Sequence, residues 1–281
     1  MIREIEASEI EKNIKEMFIE VNYDLSDDMK EALSSAEKAE ESENGKRILS
    51  ILSENLTIAK EEKIPICQDT GMAVVFMEIG QDVHVNGDLN EAINDGVKAA
   101  YEEGYLRKSV VSDPILRENT KDNTPAVIHY TIVPGDKIKI TAAPKGFGSE
   151  NMSRIFMLKP AEGIEGVKKS ILTAVADAGP NACPPMVVGV GIGGTFEKAA
   201  LLSKMALAES TETKEKKPDW AEELEKEMLS KINDMGIGPG GLGGRITALK
   251  VNVKTYATHI AGLPVAVNIC CHVNRHITRE I

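Results

Sequence analysis

The chain has 281 residues, 42% of them hydrophobic, enough to bury one large core or two smaller ones without staples. Its formal net charge of -11 argues against any general affinity for nucleic acid, whose phosphates would repel it, but leaves anionic small molecules open as substrates. The N-terminus is charged at once and lacks the apolar run of a secretory signal, and no uncharged stretch is long enough to span a bilayer, so a cytoplasmic protein with no membrane partner is expected.

Helices are predicted first. Ile10, Ile14, Met17, Phe18 and Val21 recur at three- and four-residue spacing, Ser26 can cap a second helix through Met29 and Leu33, and Ile48, Leu49, Leu52 and Leu56 mark a third. Ala73 to Ile79 is an apolar run of strand type, followed by a helix from about Asn90 to Tyr105 with Ile93, Val97, Ala100 and Tyr101 inward. Ala126 to Val133 and Lys137 to Ala143 alternate around Pro134-Gly135-Asp136, a hairpin signature that implies antiparallel pairing. A helix from about Ala161 to Ala178, a strand from Met186 to Val190 and a helix from Thr195 follow. Glu209 to Lys217 reads as a solvated loop, and Asp219 opens a helix to about Met235 that Trp220 could anchor. Arg245 to Ala257 and Pro264 to Val273 read as two strands joined by the turn at Ala261-Gly262. No internal repeat or linker is visible. The expected class is α+β in a single domain, 1–281: a helical part, 1–60, then a core, 61–281, of mixed or antiparallel sheets flanked by helices.

Two glycine clusters invite a nucleotide reading. Gly189 to Gly194, G-V-G-I-G-G, lies between a strand and a helix, but its spacing is not G-x-G-x-x-G and Glu209 does not end a second parallel strand, so a tight turn is the better reading. Gly236 to Gly244 lacks the Gly-Lys-Ser/Thr of a P-loop, and reads either as a lid or as backbone passing close to a ligand or another chain.

Four cysteines stand at three far-apart stations: Cys67 in P-I-C-Q-D-T-G, Cys183 in N-A-C-P-P, and Cys270-Cys271 before His272. None forms a C-x-x-C pair, so any shared use of these thiols must be assembled by the tertiary fold. A reducing cytosol favours thiols or metal ligands over disulfides. Weighed singly, Cys67 reads as a core thiol over a ligand by about two to one, although Gln68 and Asp69 beside it can hydrogen-bond and carry protons. Cys183, on a loop stiffened by Pro184-Pro185, suits a ligand and an ordinary turn equally. His84 and His129 lie in strand-like runs and take no role. His259, twelve residues before Cys271 and across the second expected hairpin, could be brought near that thiol. Arg107, in Y-L-R-K-S, could clamp a substrate carboxylate with its planar fork.

C-Q-D-T-G, the N-T-x-D-N-x-P-A run from Asn119 to Ala126, K-G-F-G-S-E-N from Lys145 to Asn151, A-C-P-P, G-I-G-G-T and C-H-V-N-R occur in this order. Together they resemble the alpha portion of class I, iron-sulfur fumarate hydratases and the related L-tartrate dehydratases, from about residue 45 to the end. The resemblance implies a [4Fe-4S] cluster held by Cys67, Cys183 and Cys271 where three loops converge, with one iron open to the substrate. Cys271 is preferred to Cys270 because the family's last ligand precedes an Arg by four residues, as Cys271 precedes Arg275, and follows the active-site His by twelve, as it follows His259. The resemblance also implies that Gln68, Asp69, Arg107, Gly148 through its backbone, and His259 line the substrate pocket, with Asp69 and His259 the candidates for proton handling. The implied reaction is reversible hydration of fumarate to L-malate, with L-tartrate dehydration as the alternative. Single-chain members carry a further C-terminal domain that completes the site. This chain ends at Ile281, so the resemblance implies an alpha subunit that works on a dicarboxylate together with a beta subunit, as a hetero-oligomer. Two other readings stand beside it: a nucleotide-binding protein using Gly189 to Gly194, and a non-catalytic protein with a structural zinc.

Overall fold

A computed structural model describes residues 2–210 and 216–281. In chain order the elements are β1 (Arg3–Glu6), α1 (Ala7–Tyr23), α2 (Asp27–Ala39), α3 (Glu43–Glu62), β2 (Val74–Gly80), β3 (Val83–Asn86), α4 (Leu89–Glu103), β4 (Val127–Val133), β5 (Ile138–Ala142), α5 (Phe147–Glu150), β6 (Arg154–Leu158), α6 (Gly163–Ala178), β7 (Met186–Gly194), α7 (Phe196–Leu207), α8 (Asp219–Asn233), β8 (Ala248–Thr258), β9 (Leu263–Cys270) and β10 (Ile277–Glu280). With about 44% helix and 25% strand, in mixed sheets flanked by helices, the fold is α+β as expected. No helix among the described residues is long and apolar enough to cross a membrane. The chain divides into two compact units, one of residues 55–147 with those up to 26 and from 275 on, the other of residues 27–54 and 148–274.

In the first unit the helical spacing of α1 buries Ile10, Ile14, Met17, Phe18 and Val21, and α4 buries Ile93, Val97, Ala100 and Tyr101. Asp88 starts α4 by accepting the Glu91 N–H at 2.9 Å, which satisfies one of the donors a helix start leaves open. Both helices pack against Val75, Met77, Ile138 and Ile140 of a four-stranded sheet ordered β10-β5-β2-β4. The expected hairpin is not one. β4 runs parallel to β2 on one side and β5 antiparallel to it on the other, so β2 lies between the two. The Pro134-Gly135-Asp136 turn instead spans the end of β2: Gln81 N–H donates to Val133 O at 2.8 Å and Asp82 N–H to Gly135 O at 2.9 Å. Ser26 precedes α2, but its buried hydroxyl makes no hydrogen bond, so the capping role is not realised.

The second unit repeats this topology in a sheet ordered β6-β9-β7-β8. β7 is parallel to β8 and antiparallel to β9, so the Ala261-Gly262 turn also joins two strands that do not pair. On one face, Val188 and Val190 of β7 pack with Ile171 and Val175 of α6 and Leu224, Met228 and Ile232 of α8. α7 covers the other face, and the first glycine cluster explains how. Gly189 and Gly191 lie inside β7, where β-carbons would sit 2.2 Å from Ser203 O and 2.1 Å from Ala199 O. Their lack of side chains lets the α7 backbone lie on the strand, which removes the nucleotide-turn reading.

Two smaller expectations also change. Trp220 is 44% exposed, so it does not seat the start of α8 in the core. Of the loop from Glu209 to Lys217, residues 211–215 lie outside the described residues, and its two ends are buried, with Lys217 paired to Glu209 at 2.6 Å and to Glu225. Burial alone would lower the Lys217 pKa, but hydrogen bonds to the two carboxylates outweigh it and raise the pKa.

Candidate functional site

In the first unit, the loop between α3 and β2 holds Cys67 and Asp69 half-buried and Gln68 exposed. Asp69 is held at both oxygens: Oδ1 accepts the Gly71 N–H at 3.0 Å and Oδ2 the Phe147 N–H at 2.9 Å. Both contacts suit a carboxylate that acts as a fixed acceptor. The loop is anchored from below by Tyr101, whose hydroxyl lies 2.8 Å from both Thr70 O and Gly71 O. Burial pushes the Tyr101 phenol well above its usual range, Arg275 pulls the other way and the Asp69 charge adds to the rise, so the group stays a donor. Thr70 Oγ1 donates to Arg107 O at 3.1 Å, which sets the Arg107 segment beside the Asp69 loop, with the Arg107 side chain exposed.

Arg275 is 3% exposed and donates from Nη1 to Asn22 Oδ1 at 2.8 Å. A β-carbon on Gly146 would lie 3.1 Å from Asp69 Oδ2 and 3.6 Å from Arg275 Nη2, so this buried cation and the Asp69 carboxylate face the same glycine. In the sequence Tyr101 reads as core and Arg275 only as a residue four after Cys271. The signal for Tyr101 was a hydroxyl on a fully inward helix face, since a buried phenol needs a partner.

In the second unit, Cys183 follows a short turn at Gly179–Ala182 and is an exposed thiol at φ 52° and ψ 64°, a backbone conformation costly for a residue with a side chain. Cys183 O lies 3.1 Å from His272 Nδ1, which ties this loop to the one after β9. That second loop starts at half-buried Cys271, whereas Cys270 is 4% exposed and paired with Val187 in the sheet. No disulfide joins any of the four cysteines. The second glycine cluster packs against the Cys183 loop: Gly240 N–H donates to Pro184 O at 2.8 Å, and a β-carbon on Gly241 would lie 2.3 Å from Pro180 Cβ. Gly148, in α5, is exposed and has nothing within 4 Å of where its β-carbon would be. Among the described residues, no group of three or more His, Cys, Asp or Glu side chains stands at metal-binding spacing.

His259 sits exposed in the β8–β9 turn, where Nδ1 accepts the Ala261 N–H at 3.2 Å, so the neutral ring carries its proton on Nε2. The turn does not bring His259 to Cys271. β9 leads away from it for eight residues, which at ~3.3 Å per residue puts Cys271 roughly 25 Å off along the strand. Cys183 and Cys271 share one end of this sheet, and His259 lies at the other.

Similarity along the chain carries the class. The model of the family described as "Fumarate hydratase (Fumerase)" matches residues 11–280, further toward the N-terminus than the motifs alone reach. The chain belongs to this family of hydro-lyases. A Methanocaldococcus jannaschii protein named "Putative L(+)-tartrate dehydratase subunit alpha" is 44% identical over 275 residues, covering 95% of this chain and 96% of the relative. The "L(+)-tartrate dehydratase subunit alpha" of Escherichia coli (strain UTI89 / UPEC) is 32% identical over 260 residues, covering 92% and 86%. The protein of the same name in Shigella boydii is 32% identical over 257 residues, covering 90% and 84%.

Proposed function

We propose that this chain is the α subunit of a two-subunit, cytoplasmic [4Fe-4S] hydro-lyase whose substrate is L(+)-tartrate. The observation that carries this reading is the near end-to-end similarity to relatives named as α subunits of L(+)-tartrate dehydratase. The motifs taken alone favour fumarate. Reversible fumarate hydration stands as the second reading because of the family's own description.

The donor set suits a cluster. Cys183 is exposed, Cys271 is half-buried in the loop tied to it, Cys67 is half-buried beside Gln68 and Asp69, and none is lost to a disulfide. Cys67, Cys183 and Cys271 would hold it, and when bound it supplies a Lewis acid for the departing hydroxyl at its open position. The other tasks fall to the chain's own groups. Arg107 binds a substrate carboxylate through its planar fork. Gln68 and the Gly148 N–H orient the substrate by hydrogen bonds. Asp69, with both oxygens fixed by backbone donors, is the group suited to accept a proton, and His259 is suited to donate one from Nε2. Because the β9 strand separates His259 from Cys271, His259 serves this pocket from a second copy of the chain. The β subunit supplies the further cations that charge developing beside a carboxylate requires.

Purified anaerobically with its β subunit, the protein should be brown, contain iron and sulfide, and turn over L(+)-tartrate faster than malate or fumarate. A colourless, iron-free complex would sink the cluster assignment. Faster turnover of malate and fumarate would transfer the reading to fumarate hydratase, and full activity of this chain by itself would remove the need for a β subunit.

A further inference from the structure

The run from Asn119 to Ala126 carries part of the family resemblance and has so far no task. In the fold it lies back along the segment that bears Arg107. Val111 and Asn119 form an antiparallel bridge, Asn119 Nδ2 donates to Lys108 O at 2.9 Å, and Thr120 N–H donates to Val110 O at 3.0 Å. Asp122 Oδ1 closes the turn by accepting the Thr124 N–H at 3.0 Å and its hydroxyl at 2.8 Å.

Asn123 is the junction. It is fully buried, and its Oδ1 accepts the Ser109 N–H at 2.7 Å and the Val110 N–H at 3.1 Å. Its Nδ2 donates to Gly71 O at 3.1 Å, the carbonyl that Tyr101 also reaches. A primary amide offers four hydrogen-bonding positions, and three of them here join two different loops. One loop follows Arg107 and the other follows Asp69. The backbone at Asn123 has φ 66°, a conformation that Asn tolerates better than most residues with a side chain.

We infer that Asn123 is a positioning residue for substrate binding, holding the Arg107 segment in fixed register with the Asp69 loop through one buried amide. The inference rests on the proposed roles of Arg107 and Asp69. Arg107 is exposed, so the aim of its guanidinium depends on where its backbone is held. Two of the links that hold it reach the Asp69 loop: Thr70 Oγ1 to Arg107 O, and the Asn123 amide two and three residues further on, which also bonds Gly71 O. Removing the second leaves the segment attached but free to shift, and small shifts of a substrate-orienting group are costly.

Two variants of the complete αβ enzyme separate the amide's role from backbone strain. Asn123→Gly removes the side chain at a position whose φ glycine adopts readily. Asn123→Asp keeps the two accepting contacts and sets a carboxylate oxygen against Gly71 O in place of a donor. Each should raise KM for the dicarboxylate on the order of 10-fold with iron content unchanged; amide hydrogen exchange should become faster at residues 71–72 and 109–110 together in Asn123→Gly, and at 71–72 in Asn123→Asp. Unchanged KM with only a lower Tm would reduce Asn123 to a structural residue and overturn the inference. Faster exchange confined to 109–110 in Asn123→Gly would also overturn it, because the amide would then not be coupling the two loops. A wild-type complex inactive on tartrate, malate and fumarate would sink the proposed function separately; paired exchange in Asn123→Gly would in that case still uphold the coupling, and unpaired exchange there would overturn it.

Discussion

Cys270 ends β9 with its backbone paired to Val187 and its side chain in the core, while Cys271 opens the loop that meets the Cys183 loop through His272. The doublet therefore has one thiol buried in the sheet and one half-buried in the loop, and only the second is open to a ligand role. Cys271→Ser, purified anaerobically with the β subunit, should therefore lose most of its iron. Cys270→Ser should keep its iron and instead lose stability by roughly 1–3 kcal/mol, because a hydroxyl replaces a thiol at a buried site. Iron per α chain and the urea midpoint measure the two effects, and the opposite pattern would make Cys270 the ligand. The family resemblance, through its spacing to Arg275 and His259, implies Cys271, and burial favours the same thiol for an independent reason. Other features of the site were not legible. The second backbone donor to Asp69 comes from Phe147, 78 positions away, and no local pattern encodes such a contact.

At the scale of elements, the strands were legible but their partners were not. Alternation fixes which face a residue takes and leaves the neighbouring strand open, so Val127–Val133 with Ile138–Ala142 looked like a hairpin although β2 lies between them. A clue was present in β7, whose continuous apolar run is that of a strand covered on both faces and so central in its sheet. A different tie binds the helical segment of the second unit. Glu40, directly after α2, accepts the N–H groups of Glu41, Ser42 and Arg245 on Oε1 and of Ile246 on Oε2. Burial pushes its carboxyl up, but the donors from Arg245, Ile246, Ser42 and Glu41 outweigh burial and leave the pKa below the usual range. A folded-state pKa below the unfolded one means that this stabilisation is complete above the ordinary value of about 4.3 and is lost as pH falls through the folded value. Glu40→Gln should destabilise the protein by roughly 1–3 kcal/mol near neutral pH, since an amide puts a donor against one of these N–H groups. The gap between variant and wild type should narrow in urea titrations as pH falls below about 4. A gap independent of pH would show that the Glu40 charge is not what holds the segment.

At the scale of the molecule, each unit has a strand followed, after a helical connection, by two strands that pair on either side of it, one parallel and one antiparallel, a repeat of topology with no counterpart in the sequence. That arrangement bears on the role proposed for His259. Because β9 starts just after the His259 turn and ends at Cys270, one chain holds His259 and the Cys183–Cys271 loops at opposite ends of the same sheet. A pocket that uses both draws on two copies, and each copy then gives His259 to one pocket while receiving it at another. Asp69→Asn and His259→Asn should each reduce turnover by about 100-fold or more when present alone, as loss of a proton-handling group does. Co-expressed with different affinity tags and selected for both, hybrids contain one pocket with both defects and one with neither. Random pairing into dimers would therefore restore about a quarter of the native pockets, and selection of hybrids about half. Measured turnover of the doubly selected complex, per α chain, reads this directly. Recovery far above either single variant requires exchange of His259 between copies. Activity that stays at the level of the single variants would mean that His259 takes no part in a pocket shared between copies.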